Sequence, residues 1–159
     1  MGIHRLIYNL PIIISTSVIK RHLPGFMSSA LKNNFIAYGT QRKKVHQFAK
    51  KGGESYKYFD QCLVEFADAI RPELTIIDAR CILIKSGPTL GYGAEIKPGV
   101  NRMILSWDMV AIDTLASQIM EKYDDTFQAE MIKPYLDYAC QLGLGTTDLG
   151  QIEMINIHT

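Results

Sequence analysis

Residues 74–84, LTIIDARCILI, limit the folds open to this chain more than any other stretch. The run is rich in β-branched residues and apolar at positions of both parities, which is typical of a strand buried on both faces. Such a strand needs covering layers, and helices supply them in α/β proteins. Asp78 lies near its middle, where a lone charge is costly. We therefore expect Asp78 to meet a cation, backbone N–H groups or a metal ion.

Other segments predict helices and strands in alternation around this central strand. A β-branched run at 12–19 predicts a buried strand, and apolar residues spaced three and four apart predict a helix over 55–70. Further predictions are a short helix at 26–35, a strand at 102–106, helices at 109–122 and 127–142, and a strand at 152–157. This order predicts a single α/β domain over 1–159, with a mainly parallel or mixed sheet and helices on both faces.

Composition excludes several classes of function. Lysine and arginine total 17 against 16 acidic residues, and this balance argues against a nucleic-acid binder. The first apolar run is broken by Asn9 and Pro11 and is too short to span a bilayer, so we expect no membrane partner. Cys62, Cys81 and Cys140 lie far apart among apolar residues, which predicts buried free thiols in a reducing cytoplasm and gives no support to a metal centre.

The densest group of hydrogen-bond donors is the stretch KRHLPGFMSSALKN at 20–33. If its second half is helical, the helix N-terminus offers free backbone N–H groups beside cations, an arrangement suited to phosphate or carboxylate. His22 is the residue best suited to acid–base chemistry there, because its pKa lies near neutrality. The alternative is a solvated basic segment in which Asn33 only ends the helix.

Two loops and two acids complete the candidate set. The loop with Gly87, Thr89 and Gly91 follows the central strand, where α/β proteins place binding crevices, but it can equally be a tight connection between strands. The basic segment 38–53 predicts a mobile surface loop that is solvated or closes over an anion. Asp108 is expected to cap the helix that follows it, and Asp113 does not share a helix face with Asp108.

Four stretches, in order, resemble the motifs of the domain of unknown function 362 family. They are KRHLPGFMSSALKN, PELTIIDARCILIKSGPTLGYG, SWDMVAIDTLA and LGLGTTDLGQIEMI, and the resemblance extends over about residues 10–155. In the first motif the matching positions are Lys20, His22, Ser28, Lys32 and Asn33. Arg21, Ser106 and Met109 depart from the common residues of the family. The resemblance implies an α/β fold. We also expect this chain to be the later part of a longer family protein.

These observations lead to two hypotheses of different classes. The first is a small anionic ligand in a cleft of lysines, histidine and the glycine loop, with His22 as the catalytic acid or base; the ligand residues would be Lys20, Ser28, Lys32, Asn33, Asp78, Gly87, Thr89 and Gly91. The second is a non-catalytic interaction module that docks a redox or iron–sulfur partner, since some family members carry ferredoxin-like cysteine clusters. A third reading makes the site dependent on an absent N-terminal segment. No cofactor follows from the sequence.

Overall fold

The computed structural model describes residues 3, 5–35, 42–51 and 53–157. Its four strands are β1 (Ile14–His22), β2 (Phe26–Ser28), β3 (Leu74–Ile84) and β4 (Glu95–Ser106). They form one sheet in the order β2–β1–β3–β4. β1 and β3 run parallel, whereas the β1–β2 and β3–β4 pairs are antiparallel. The α/β class, the mixed sheet and the central position of β3 are thereby confirmed.

Six helices accompany the sheet in the described part of the chain. They are α1 (Arg5–Tyr8), α2 (Ala30–Asn33), α3 (Arg42–Lys51), α4 (Gly53–Ile70), α5 (Met109–Tyr123) and α6 (Lys133–Gln141), with 3₁₀ turns at Ala129–Ile132 and Leu149–Gln151. Among the described residues, no helix is both long and apolar enough to cross a membrane. The helix predicted at 127–142 is instead the 3₁₀ turn at Ala129–Ile132 followed by α6.

Three other predicted elements differ in kind from the structure. The helix at 26–35 is instead strand β2 followed by the one-turn α2, because the chain reverses through Gly25 and Phe26, both at positive φ, and pairs with the end of β1. The predicted mobile loop contains helix α3, whose Val45 is buried, while 38–41 and 52 lie outside the described residues. Residues 153–157 form no strand, and Ile155 is largely exposed with no sheet neighbour in the described region.

The helices pack mainly against one face of the sheet, although the sequence led us to expect cover on both. On the covered face Ile19, Ile77 and Ala79 are fully buried in the core that the helices complete. The alternate positions carry a second face, which we call the open face; it includes Thr16, Val18, Met103 and Leu105. Because side chains alternate along a strand, Lys20 and His22 continue the row of Val18 toward the β2 edge.

Candidate functional site

The cations of the first motif lie at the end of β1. Lys20 and His22 are two residues apart on one strand, so their side chains leave the sheet on the same side. Ser28 of β2 pairs with Lys20 across the antiparallel ladder. Between the strands the chain turns through Gly25, whose backbone N–H donates to the Tyr56 hydroxyl at 2.6 Å. The hairpin therefore brings residues 20, 22 and 28 together.

Helix α2 carries the remaining motif residues, and a buried acid fixes its position. Asp113 of α5 is fully buried and accepts hydrogen bonds from the backbone N–H groups of Ala30 (2.6 Å) and Leu31 (3.0 Å). Burial raises the pKa of Asp113 to about 6, opposed by these bonds and by the Ser29 hydroxyl. The prediction of an anion site at this helix N-terminus is therefore wrong, because the protein's own carboxylate already accepts hydrogen bonds from these backbone N–H groups.

A groove of about 830 Å³ runs between the end of β1, β2, α2 and α3. We call it the cleft. Its lining includes five of the predicted site residues, namely Lys20, His22, Ser28, Lys32 and Asn33. The remaining lining residues are Thr16, Ser17, Val18, Ser29, Phe35, Lys43, His46, Gln47 and Pro88. Within the described part of the chain, no aspartate or glutamate lines the cleft.

His22 occupies an environment that opposes its protonation. Its ring centroid lies 5.9 Å from that of His46. Burial is the largest cause that lowers the pKa of His22, to about 3, and the charges of Lys32, His46 and Lys20 add to the effect. A hydrogen bond with the Pro24 backbone opposes them only in part. The imidazole is therefore neutral at physiological pH.

Lys32 is buried against aromatic rings at the inner wall of the cleft. Only 7% of the residue is exposed, and its Nζ lies 5.8 Å from the ring centroids of both Phe35 and Phe59. Such positions over ring faces partly replace the water that a buried ammonium loses. Gly25 allows the close approach of the hairpin, since a Cβ there would lie 3.2 Å from the Lys32 Cε and the φ is +81°.

Asn33 has a positioning role that the sequence did not indicate. Its side-chain N–H groups donate to the Ser15 hydroxyl and to the Thr16 carbonyl, each at 2.9 Å. These bonds attach α2 to the free edge of β1 beyond the short β2. Asn33 therefore lines the cleft, but its amide donors are engaged by the fold.

The glycine loop contributes less to the cleft than predicted. Only Pro88 of this loop lies in the lining, while Thr89 and Gly91 are exposed and outside it. A Cβ at Gly87 would overlap the backbone carbonyl of Arg21. The glycine at 87 is thus explained by the close passage of the loop over β1, as the tight-connection reading expected.

Asp78 also lies outside the lining of the cleft. It meets a cation, as its position in β3 led us to expect, and that cation is Arg80 at 2.6 Å. Asp78 and Arg80 are two residues apart in β3, so their side chains leave the strand on the same side. Hydrogen bonds from the Arg80 side chain and backbone lower the pKa of Asp78 to about 2.

Asp108 and Asp124 join other parts of the chain to the cleft region. Asp108 caps α5, as predicted, by accepting from the backbone N–H groups of Val110 and Ala111. It also accepts from the Thr146 N–H at 3.0 Å, so the last matched stretch is attached to the third. Asp124 pairs with Arg21 at 3.2 Å; burial alone would raise its pKa, but hydrogen bonds from Thr126 and Lys85 and the charge of Arg21 lower it.

Helix α3 supplies three of the cleft residues that we did not single out. Lys43, His46 and Gln47 follow the three- and four-residue spacing of one helix face, and all three line the cleft. Lys43 belongs to the basic segment that was expected either to be solvated or to close over an anion. The three- and four-residue spacing could have predicted a helix here, but we interpreted the basic composition of the segment as that of a surface loop.

In the part of the chain that the structure describes, no grouping is suited to a metal ion. The described residues contain no cluster of three or more histidine, cysteine, aspartate or glutamate side chains. The cysteines are free; Cys62 is buried and Cys140 partly so, whereas Cys81 is exposed, contrary to our expectation. Cys81 is exposed because the β3 irregularity turns it out of the sheet beside Arg80.

Comparison with known proteins adds the family. The family model described as domain of unknown function (DUF362) matches residues 1–118. The chain belongs to this family. Among curated proteins and among solved structures, no match to the chain was found. The DUF362 match includes the four strands, helices α1 to α4 and the first ten residues of α5, and thus the three cleft lysines at 20, 32 and 43; LGLGTTDLGQIEMI lies beyond it.

Proposed function

We propose that this DUF362 protein binds a small anionic ligand in the cleft. The observation that carries the proposal is the composition of the lining: three lysines, two histidines and no described acidic residue. The whole chain has nearly as many acids as bases, so this segregation is local. Cations grouped in one groove repel one another, and an anion that enters relieves the repulsion.

The behaviour of His22 supports the sign of the local field. Lys32, His46 and Lys20 all act to lower its pKa, which means that a positive potential surrounds the ring. Partial burial strengthens such interactions relative to open solvent. The same potential that repels a proton from the imidazole attracts a carboxylate, phosphate or sulfate group.

If the ligand undergoes a reaction, we assign His22 the role of proton acceptor. Its pKa of about 3 leaves a neutral ring at physiological pH, and the negative charge of a bound ligand would raise that pKa toward the range in which an imidazole accepts a proton. A proton donor role requires prior protonation, which the neighbouring cations oppose. Ser28, which pairs with Lys20, supplies a hydroxyl in the lining that could orient such a ligand.

Thermal denaturation with increasing sulfate tests the binding proposal. Sulfate stabilises many proteins generally, so the comparison must be between variants. We expect Lys20→Ala to lose most of the specific increase in Tm, because a ligand that binds only the native state raises stability. Lys44→Ala is the matched control, since Lys44 is an exposed lysine of α3 outside the cleft lining. Equal increases for wild type and both variants would contradict the proposal.

The open face favours a second candidate, a non-catalytic interaction module. Val18, Met103 and Leu105 are 43%, 60% and 57% exposed on it, and the nearby Trp107 is 84% exposed. Several exposed apolar side chains on one sheet face are a feature of partner surfaces. The three free thiols suit a reducing cytoplasm, where a redox or iron–sulfur protein would be the partner. A blue shift of the lone tryptophan's fluorescence on adding a ferredoxin-type protein, absent in Leu105→Asp, would support it.

A further inference from the structure

One wall of the cleft is an edge of strand β1. Consecutive side chains of a strand point to opposite faces of the sheet, yet Thr16, Ser17 and Val18 all line the groove. A groove lined by three consecutive strand residues must run along the edge of the strand, within reach of its backbone. The short strand β2 pairs only with residues 20–22, so among the described residues no strand covers this edge at 16–18.

The Asn33 side chain shows which backbone groups face the groove. Its amide donates to the Thr16 carbonyl at 2.9 Å, at the edge of β1 that lies away from β3. In an extended strand the N–H and C=O of one residue point to the same edge, and alternate residues share that edge. The N–H of Thr16 and both backbone groups of Val18 are therefore directed toward the cleft. Asn33 already makes one of the hydrogen bonds that an added strand would make.

We infer that the cleft takes a short peptide, which adds to the β1 edge as an extended strand and places its C-terminal carboxylate beside Lys20. The inference rests on the proposed function and specifies its ligand class. Main-chain hydrogen bonds with Val18 and Thr16 supply affinity, as they do wherever a peptide extends a sheet. Lys20 lies two residues beyond Val18 on the same strand, so a peptide parallel to β1 directs its C-terminus toward this lysine.

The position of β2 is the reason for expecting a chain terminus. Ser28 of β2 pairs with Lys20 and occupies the edge from that residue onward. An added strand must therefore end where β2 begins, and an internal segment of a longer chain has no straight path past it. The charge of the lining then selects the carboxyl end, because the cleft contains Lys20 and no described acid, and an amino terminus would add a further positive charge.

The dimensions of the groove suit a peptide of about three residues. Three extended residues span about 10 Å, and the groove volume of about 830 Å³ is within the usual range for sites that enclose small organic ligands. Val18 and Pro88 supply apolar wall for the peptide side chains. The Oγ of Ser17, also in the lining, has no hydrogen-bond partner among the described residues, and a polar group of the ligand can supply one.

Calorimetric titration with N-acetyl-trialanine tests the inference, and acetate serves as an anion without a peptide backbone. We expect the tripeptide to bind at least about tenfold more tightly than acetate. Its C-terminal amide should bind about tenfold more weakly than the free acid, because it lacks the charge. The same peptide methylated at its amide nitrogens keeps the charge but cannot donate to the Val18 carbonyl, and it should lose about tenfold as well.

Hydrogen exchange reports the added strand on the protein itself. The amide proton of Val18 should exchange more slowly when N-acetyl-trialanine is bound, and acetate should not slow it. Val18→Pro removes this N–H at a strand edge, a place where proline is tolerated, and should weaken tripeptide binding about tenfold. Lys44→Ala, an exposed α3 variant outside the lining, should bind the tripeptide like the wild type.

The outcomes separate this inference from the proposed function. The methylated peptide probes the same hydrogen bonds on the wild-type chain, so the test does not depend on the folding of Val18→Pro. Acetate binding as tight as the tripeptide, equal binding of the methylated and unmethylated peptides, or unchanged exchange at Val18 would each overturn the inference and leave the proposed function standing. Failure of sulfate, acetate and the tripeptide alike to bind would overturn both.

Discussion

The carboxylate of Asp113 accepts a hydrogen bond from the backbone N–H of Ala30 at 2.6 Å, across 83 positions of sequence. This contact connects α5 to the helix that presents Lys32 and Asn33. The acid thus acts on the cleft without lining it. Asp113 belongs to the third matched stretch and Ala30 to the first. The hydrogen bond between them therefore holds these two stretches together in the fold.

Replacing Asp113 by asparagine should destabilise the protein. The amide has one oxygen, so one of the two backbone donors at Ala30 and Leu31 loses its acceptor in a fully buried site. We expect a loss of about 1–3 kcal/mol in the free energy of unfolding, measured by urea denaturation. Asp137→Asn, which removes an exposed pair with Lys133, should cost no more than about 0.5 kcal/mol. Equal losses for the two variants would contradict this role.

Asp60 should make the protein less stable as the pH rises. Burial raises its pKa to about 7, and its Oδ1 has no hydrogen-bond partner. The native state therefore retains a proton that the unfolded chain releases near its ordinary pKa, and stability falls between about pH 4 and pH 7. Between about pH 5 and pH 8 the wild type should lose about 2 kcal/mol more than Asp60→Asn. Parallel pH profiles of unfolding would show the carboxyl to be unperturbed.

His22 should produce the opposite dependence. Its pKa is lowered, so the unfolded chain binds a proton that the native state refuses, and stability falls as the pH decreases from about 6.5 toward 3. Between neutral pH and about pH 5, the free energy of unfolding of the wild type should fall by about 2 kcal/mol more than that of the neutral variant His22→Gln. Urea denaturation at both pH values measures the difference. An identical acid profile in wild type and variant would contradict the environment described for the ring.

Gly87→Ala should disturb the loop that passes over β1. The added Cβ would overlap the Arg21 carbonyl, so either the loop or the strand end must shift. We expect a loss of about 1–3 kcal/mol in unfolding free energy, typical of overpacking. Ser86→Ala is the neighbouring control, because the Ser86 hydrogen bond to Ile84 comes from its backbone. A variant as stable as this control would show that the close approach is dispensable.

Local chemistry made parts of the fold predictable. The bounds of β3 follow from its apolar composition, and the cap at Asp108 follows from a side chain that reaches N–H groups two and three residues away. Strand β2 was missed because three residues form a strand only by pairing with the end of β1. Helix α3 was missed because the partners of Val45 lie on other elements.

The candidate site was predictable in part for the same reason. Lys20, His22 and Lys32 lie within one short stretch, and a single hairpin suffices to bring them together. His46 reaches the cleft from a separate helix, and Asp113 holds α2 from beyond two further strands. Contacts of that range depend on tertiary packing, which residue spacing alone does not report. The glycine loop was predicted to line the cleft because α/β proteins place binding crevices beyond the ends of strands, but only Pro88 of the loop does so.

A crystal structure with selenate at a concentration near its dissociation constant tests the central claim most directly, because selenium locates the anion by anomalous scattering. The account predicts an anomalous peak inside the cleft, in contact with the Lys20 or Lys32 ammonium and beside the His22 ring. Selenate bound only elsewhere on the surface, with the cleft free of it while binding in solution is measurable, would contradict the account.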